Sequence, residues 1–369
     1  MPQSRRIAHL TSVHPRHDVR IFEKECASLA AQGFDVHLLV ADGRGTEVRN
    51  GVSIHDIGAV TGRLQRIMVQ PWRMWRAARR LAADLYHFHD PELLPAGLLL
   101  RIAGAKVVYD SHEDVPRALL SKHWISRRFR SIMSMAFELF ENFSARRLSA
   151  VVAATPHIGL RFTRLNPLTT VVNNYPLRSE LDSPSAARAD ERTVCYVGGI
   201  SRIRGAVEMI SALEFVDAKL VLAGAFDTSD TESAVRALPG WSRVDYRGTV
   251  SRDEVRKIMG ESCAGLLFFH PEPNHVHAQP NKMFEYMAAG LPVLASDFPL
   301  WRSILVETGA GECAAALDPK ALATVIRSLL DDRKRAQEMG ARGREAVMNR
   351  FLWEHEARKL CDLYSRLLG

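Results

Sequence analysis

The chain has 369 residues, 47% of them hydrophobic and 25% charged, a length suited to about two domains and a composition that excludes disordered, collagen-like and multi-span membrane proteins. Its formal charge of +7 is unevenly spread: residues 1–180 carry 25 Lys and Arg against 16 Asp and Glu, net +9, and residues 181–369 carry 24 against 26, net −2. The cysteines (Cys26, Cys195, Cys263, Cys313, Cys361) are odd in number and far apart, with no C-x-x-C pair, which argues against a disulfide framework or a zinc site and for a reducing cytoplasm; the histidine-rich strand ends likewise read as polar loops and not as metal ligands.

The opening MPQSRRIAHLTSVHP is too short in its apolar part, and too interrupted by His9, for a secretion signal. No run approaches the ~18 apolar residues of a spanning helix, so the expectation is a chain neither secreted nor transmembrane. RRIAHLTSV reads as a strand, HPRHDVR as a polar connector, and IFEKECASLAAQG as a helix with Ile21, Phe22, Cys26, Leu29 and Ala30 on one face and Gly33 as its stop. FDVHLLVAD is a second strand, and the short helical crossover between the two implies a parallel sheet.

RLQRIMVQPWRMWRAARRLAADL then sets Arg63, Arg66, Arg73, Arg76, Arg79 and Arg80 among Met68, Trp72, Met74 and Trp75. Such a stretch suits the headgroups of an anionic bilayer, and equally a packed helix with a solvated arginine face. SKHWISRRFRSIMSMAF at 121–137 is a second basic and aromatic run in the same half, and the +9 balance favours the membrane surface, with Arg73, Trp75, Arg76, Arg79 and Arg80 as its contacts. DLYHFHD and AKVVYDSHED repeat the pattern of an apolar strand ending in polar residues. Ligands of open parallel sheets sit outside the carboxyl ends of the strands, so His14, His17, Asp18, His89, Asp90, His112, Glu113 and Asp114 are expected to line one cleft.

SAVVAATP and TTVVNNYP close this first series, and the aperiodic, polar PLRSELDSPSAARADER follows. The expected division is a domain at 1–178, a linker at 179–192, a second domain at 193–350 and a C-terminal helix at 351–369 that packs on one of the domains. TVCYVGGIS, AVEMISALEFV, AKLVLAGAF, SRVDYRG, DEVRKIMGES, CAGLLFFHP, KMFEYMAAG, LPVLAS and ALATVIRSLLDD form a second strand and helix series, again doubly wound α/β. In PNKMFEYMAAGLPVLAS, Pro280 precedes a helix whose free amides favour a phosphate, with Lys282 beside it; Glu285, one turn on, can accept from two ribose hydroxyls. A bare Lys-x-x-Glu more often marks an ordinary helix with a solvated Glu. GGISRIRG matches neither a dinucleotide nor a P-loop fingerprint.

In order and spacing these segments resemble the GT-B glycosyltransferases of family 4 type. PNKMFEYMAAGLPVLAS is similar to that family's EAMAAGxPVVA segment, YVGGISRIRGAVEMISAL to its phosphate-binding strand, loop and helix, VDYRGTVSRDEVRKIM to its base-side stretch, and DVRIFEKECASLAAQGFDVHLLV and VVYDSHE to its acceptor-domain elements. The resemblance implies two doubly wound Rossmann-like domains facing a cleft. It implies donor binding by Gly199, Arg202, Arg204, His277, Asn281, Lys282, Met283, Phe284 and Glu285. His277 stands where the family's first Glu of Glu-x7-Glu is found, and Gly199 and Arg204 stand where its Arg and Lys are found. His112 resembles the histidine near the donor sugar. Asp18 or His17 is a candidate base, and His14, Arg16, His89, Asp90 and Glu113 are candidate acceptor contacts.

The implied activity is retaining transfer, without a metal or other cofactor, from a nucleotide-sugar (UDP-sugar favoured over GDP-sugar) to a saccharide or lipid-linked saccharide, as in bacterial lipopolysaccharide or capsule synthesis. The implied location is cytoplasmic, peripheral on the inner face of the membrane, with no nucleic-acid partner. Two alternatives remain open at this level: a nucleotide-sugar epimerase on the same fold, and a non-catalytic lipid- or nucleotide-binding protein.

Overall fold

The computed structural model describes residues 4–60, 62–122, 125–181 and 192–369. Most of the expected linker at 179–192, and two residues of the 121–137 run, fall outside them. Two compact units are formed, Met1–Asn174 with Trp353–Gly369, and Tyr175–Leu352.

The first unit is built on β1 (Arg6–Leu10), β2 (Asp35–Val40), β3 (Glu47–Arg49), β4 (Val52–Asp56), β5 (Leu85–Phe88), β6 (Lys106–Ser111), β7 (Ala150–Ala153) and β8 (Thr169–Val171). They form one 8-stranded sheet in the order β3-β4-β2-β1-β5-β6-β7-β8, parallel throughout except for the β3/β4 hairpin at the edge. That hairpin turns at Asn50 and Gly51, both with positive φ (52° and 75°), as a two-residue primed turn requires. Strands covered on both faces are almost wholly buried, which is why β1 and β5 bury even His9 and His87. The second unit holds β9 (Thr193–Val197), β10 (Lys219–Ala223), β11 (Val244–Gly248), β12 (Ala264–Leu267), β13 (Val293–Ser296) and β14 (Gly311–Ala314). This is a 6-stranded sheet ordered β11-β10-β9-β12-β13-β14, parallel in every pairing.

Both sheets therefore reverse their winding beside their first strand, between β1 and β5 and between β9 and β12, which is where open α/β sheets bind ligands. The units divide at 174/175, not 178, because Tyr175 packs edge-on against Phe284 and Phe351 of the second core, with ring centroids 4.8 and 5.2 Å away. The helix Trp353–Leu368 belongs to the first unit: Trp353 Nε1 donates to Ser28 Oγ (2.9 Å) and Glu356 accepts from the Asn173 amide (2.8 Å).

Candidate functional site

In the second unit the site grows from the turn after β9. Gly198 has φ +122°, and a Cβ there would stand 2.3 Å from Lys282 Cε, so the lysine lies directly across the bare backbone. Gly205 has φ +74°, and its Cβ would fall 1.7 Å from the Phe268 carbonyl oxygen, which locks the turn against the end of β12. Within this turn Arg204 donates to the Gly199 carbonyl (3.2 Å) and lies over the Phe269 ring. Lys282 sits over the Tyr196 ring, 5.7 Å from its centroid.

Burial, and then the neighbouring Arg204, pull the Lys282 ammonium down to about 8. Among the described residues neither cation forms an ion pair with a carboxylate. The helix Asn281–Ala288 begins at Pro280 with no side-chain cap. Two cations and an uncapped helix start thus share one turn, an arrangement that can bind a phosphate.

Glu285 is half-buried one turn further on. Its Oε1 accepts from Arg252 (3.1 Å), whose other terminal nitrogen donates to Glu180 (3.0 Å). These three line a shallow cavity with Val255, Met259, Ala288 and Ala289. Sequence reasoning missed Arg252 and Glu180, which lie 33 and 105 positions from Glu285. The Met283 and Phe284 side chains are buried in the core, which corrects their place in the donor set: helical phase turns both inward, leaving only backbone to offer. Asn281 and Arg202 are exposed, as is His277. The buried histidine of that loop is instead His275, whose Nδ1 lies 3.1 Å from the His270 carbonyl and which burial keeps below its usual pKa.

In the first unit, Asp90 is buried and fixes the turn after β1 by accepting from Ser12 N (2.6 Å) and Thr11 Oγ1 (2.8 Å). His14 stands between Asp18 and Asp90, 3.4 Å from each. Burial opposes its charge, but the hydrogen bond to Asp18 and the charges of Asp90, Asp18 and Asp110 prevail and raise its pKa. Asp18 caps the helix that follows by accepting from Arg20 N (2.9 Å) and Ile21 N (3.0 Å). That helix is an eight-residue π-helix, Val19–Cys26.

Burial would raise Asp18, yet the hydrogen bonds from His14 and the Ile21 amide hold it down at about 2. This corrects Asp18 as a candidate base, because a carboxylate held so low has little affinity for a proton and both its oxygens are already engaged. Arg16 is corrected too: its guanidinium is spent on Asp42 (2.7 Å), Glu47 (3.1 Å) and the Gly45 carbonyl (3.1 Å). His17 turns the same way, 3.4 Å from Glu47.

His112 is half-buried, with Nε2 3.0 Å from Asp110 Oδ2 and 3.2 Å from His89 Nδ1, and its ring lies 5.2 Å from that of His14. Asp110 is gripped by Arg20 through Nε (3.2 Å) and a terminal nitrogen (3.0 Å). Burial alone would raise it, but Arg20 and then His112 keep it well below the carboxylate range. His89 is buried and burial lowers it to about 4, which corrects it from an acceptor contact to an interior support of His112. Glu113 is exposed at the strand end. The structure thus groups His14, Asp18, Asp90 and His112, with His89 buried behind His112, and turns Arg16 and His17 away toward Glu47.

On another face of the first unit, helix Gln70–Leu81 buries Gln70, Pro71, Met74 and Ala78. It exposes Arg73, Arg76, Arg79 and Arg80, while Trp72 and Trp75 stack at 4.6 Å with Arg76 and Arg79 over their rings. Helix Arg127–Ala145 packs on the core through Phe137 and Ala145, yet it also buries Ser134, Glu141 and Ser144 and exposes Phe129, Ile132, Met135, Leu139, Phe140 and Phe143. Among the described residues no helix is long and apolar enough to cross a membrane.

Residues 19–174 match the family model described as "Glycosyl transferase 4-like domain", and residues 202–362 match the model described as "Glycosyl transferase-like". The alpha-maltose-1-phosphate synthase of Mycolicibacterium smegmatis is 30% identical over 189 residues, 47% of this chain; the match spans 48% of that protein, about half its length. Among solved structures, sucrose-phosphate synthase from Thermosynechococcus elongatus superposes with a TM-score of 0.78 at 20% identity, covering 98% of this chain and 99% of the other. Anabaena HepE with UDP and glucose gives 0.73 at 15% identity, covering 98% and 100%. WaaG, a glycosyltransferase involved in lipopolysaccharide biosynthesis, gives 0.74 at 14% identity, covering 97% and 99%.

Proposed function

This chain belongs to the GT-B glycosyltransferases of family 4 type, and on that premise we propose that it transfers a hexosyl group, with retention, from a nucleotide-sugar to a lipid-linked saccharide in bacterial surface polysaccharide synthesis. The observation that carries this reading is the pair Arg204 and Lys282 at the glycine turn, joined by the uncapped start of helix Asn281–Ala288. A nucleoside diphosphate laid there meets positive charge at both phosphates, so charge developing on the departing diphosphate is stabilised where it arises and the transfer step requires no metal.

Glu285, already oriented by Arg252, accepts from the ribose hydroxyls. In the transfer itself the bond from the anomeric carbon to the phosphate oxygen breaks. The acceptor oxygen forms its bond on the same face, and its proton passes to the released phosphate oxygen. His112, held by Asp110 and His89, donates to or orients a hydroxyl of the transferring sugar.

A uridine nucleotide is supported by the HepE structures, which hold UDP and UDP-glucose, and a surface polysaccharide product by the likeness to WaaG. The exposed arginine row, the stacked tryptophans and the outward phenylalanines of helix Arg127–Ala145 support attachment to an anionic cytoplasmic leaflet and hence a lipid-linked acceptor. The test is calorimetry with UDP, GDP, ADP and dTDP in the presence of a chelator. Binding of UDP ahead of the others without magnesium is expected. Absence of binding by every nucleotide, or binding only with magnesium, overturns the reading.

A further inference from the structure

A second polar cluster lies inside the first unit, beneath the Val19–Cys26 helix. His9 of β1 pairs in register with His87 of β5, and the pairing continues one residue past β5, where His89 N donates to the Leu10 carbonyl (3.1 Å) and alternation puts His89 on the same face as His87. With Glu25 of the helix these residues are buried, and each offers one ligand-type atom within 4.8 Å of the others. His9 Nδ1 is 2.9 Å from His89 Nε2 and 3.8 Å from Glu25 Oε2, and His89 Nε2 is 4.0 Å from that same oxygen. Ligand atoms on a tetrahedral zinc with bonds of ~2.0–2.1 Å stand about 3.3 Å apart, so the three edges bracket the spacing a small divalent cation imposes.

The outward atoms of the same rings are held by oxygens. The Tyr364 hydroxyl lies 3.2 Å from His9 Nε2 and 2.5 Å from His87 Nδ1, and Asp110 Oδ2 lies 3.3 Å from His89 Nδ1. A ligating imidazole is usually fixed in this way, its far nitrogen bonded to a hydroxyl or carboxylate while the near one faces the metal. Of the inward atoms, His9 Nδ1 and His89 Nε2 share one hydrogen bond with each other, and the rest lack that satisfaction. Neither Glu25 oxygen nor His87 Nε2 has a hydrogen-bond partner, although Arg20 Nε stands 3.0 Å from Glu25 Oε1. A buried carboxylate and imidazole nitrogen left so are costly, and a cation at their common focus satisfies both. Asp110 is also close to His89 and His112, but its oxygens are gripped by Arg20, which leaves Glu25 Oε2 as the ligand.

We infer that His9, Glu25, His87 and His89 form a closed, four-ligand site for a zinc-class divalent cation. Imidazole and carboxylate are ligand types that catalytic zinc also uses, but here four buried protein ligands leave no position for water, and that closure is the mark of a structural ion. The ion ties β1, β5 and the Val19–Cys26 helix together and, through Tyr364, the helix Trp353–Leu368. It takes no part in the transfer step, and the site does not depend on the donor assignment.

The test uses the untagged full chain, stripped with a chelator and then supplied with Zn²⁺ or Co²⁺. Elemental analysis is expected to give about one zinc per chain, and melting to rise by about 4 °C or more on zinc addition. Co²⁺ is expected to show the visible absorption of a four-coordinate ion. Glu25→Gln and His87→Gln are expected to lose the metal, and His55→Gln, in a histidine pair elsewhere in the unit, to keep it. A wild-type chain that takes up less than about a tenth of an equivalent and whose melting zinc leaves unchanged overturns the proposal, as does metal retained in both ligand variants. If those variants fail to fold, the stoichiometry and cobalt spectrum of the wild type decide.

Discussion

The carboxyl ends of the two sheets carry opposite chemistry on nearly the same winding. After β9 and β12 the chain supplies glycines and two cations that, among the described residues, have no carboxylate partner. After β1, β5 and β6 it supplies histidines and acids already paired with one another, such as His14 with Asp18 and Asp90, and His112 with Asp110. A shared topology therefore fixes where ligands go, and the turn residues decide their charge. On the proposed function, one end receives an anion that arrives from outside, and the other holds polar groups in set orientations for neutral hydroxyls.

Arg204→Ala with Lys282→Ala is expected to weaken nucleotide binding by about 3–5 kcal/mol, since charge-assisted bonds are the strong ones; calorimetry within a factor of ten of wild type would show that the anion binds elsewhere. Replacing Arg73, Arg76, Arg79 and Arg80 with Gln is expected to cost about 3 kcal/mol of binding to anionic vesicles at low salt and less at high salt, read by cosedimentation, with nucleotide affinity unchanged. His112→Ala is expected to lower kcat about a hundredfold with donor affinity intact; a loss of donor affinity of that size would place His112 in the anion site instead.

Two smaller effects sharpen the picture of the second unit. Glu285→Ala is expected to weaken binding of a ribonucleotide by about 1.5 kcal/mol and that of its 2′,3′-dideoxy analogue hardly at all. Lys282 is charged below about 8 and loses its proton as pH rises through that value. Nucleotide affinity should accordingly fall several-fold between pH 7 and pH 9, and Lys282→Met should abolish that slope.

Much of this architecture was legible in the sequence, because parallel strands covered on both faces must be continuously apolar and are punctuated by glycine and polar turns. The β3/β4 hairpin went unread although Asn50-Gly51 is its signal, and β14 escaped because Gly311–Ala314 is short and mostly half-exposed. The cation pair was legible through motif order. The interior of the first unit was not, since Arg20 fell in a segment read as a polar connector, His89 at a strand end read as cleft lining, and Glu25 and His87 carried no local signal. Their burial depends on partners such as Asp110, 90 positions from Arg20, and no local pattern reveals a compensation made at that distance. For the same reason Glu285 was found without Arg252, and Met283 and Phe284 were grouped with the ligand that only their neighbours face.

The first unit is discontinuous, closed by Trp353–Gly369 after the whole second unit has intervened. On the ribosome, residues 175–352 can therefore reach their final form while the earlier unit still waits for its last helix. Until Tyr364 is made, His9 and His87 lack the hydroxyl that holds their outer nitrogens. Nascent chains halted after residue 352 should resist protease in the later-synthesised unit and yield in the earlier one, an assembly order opposite to the order of synthesis.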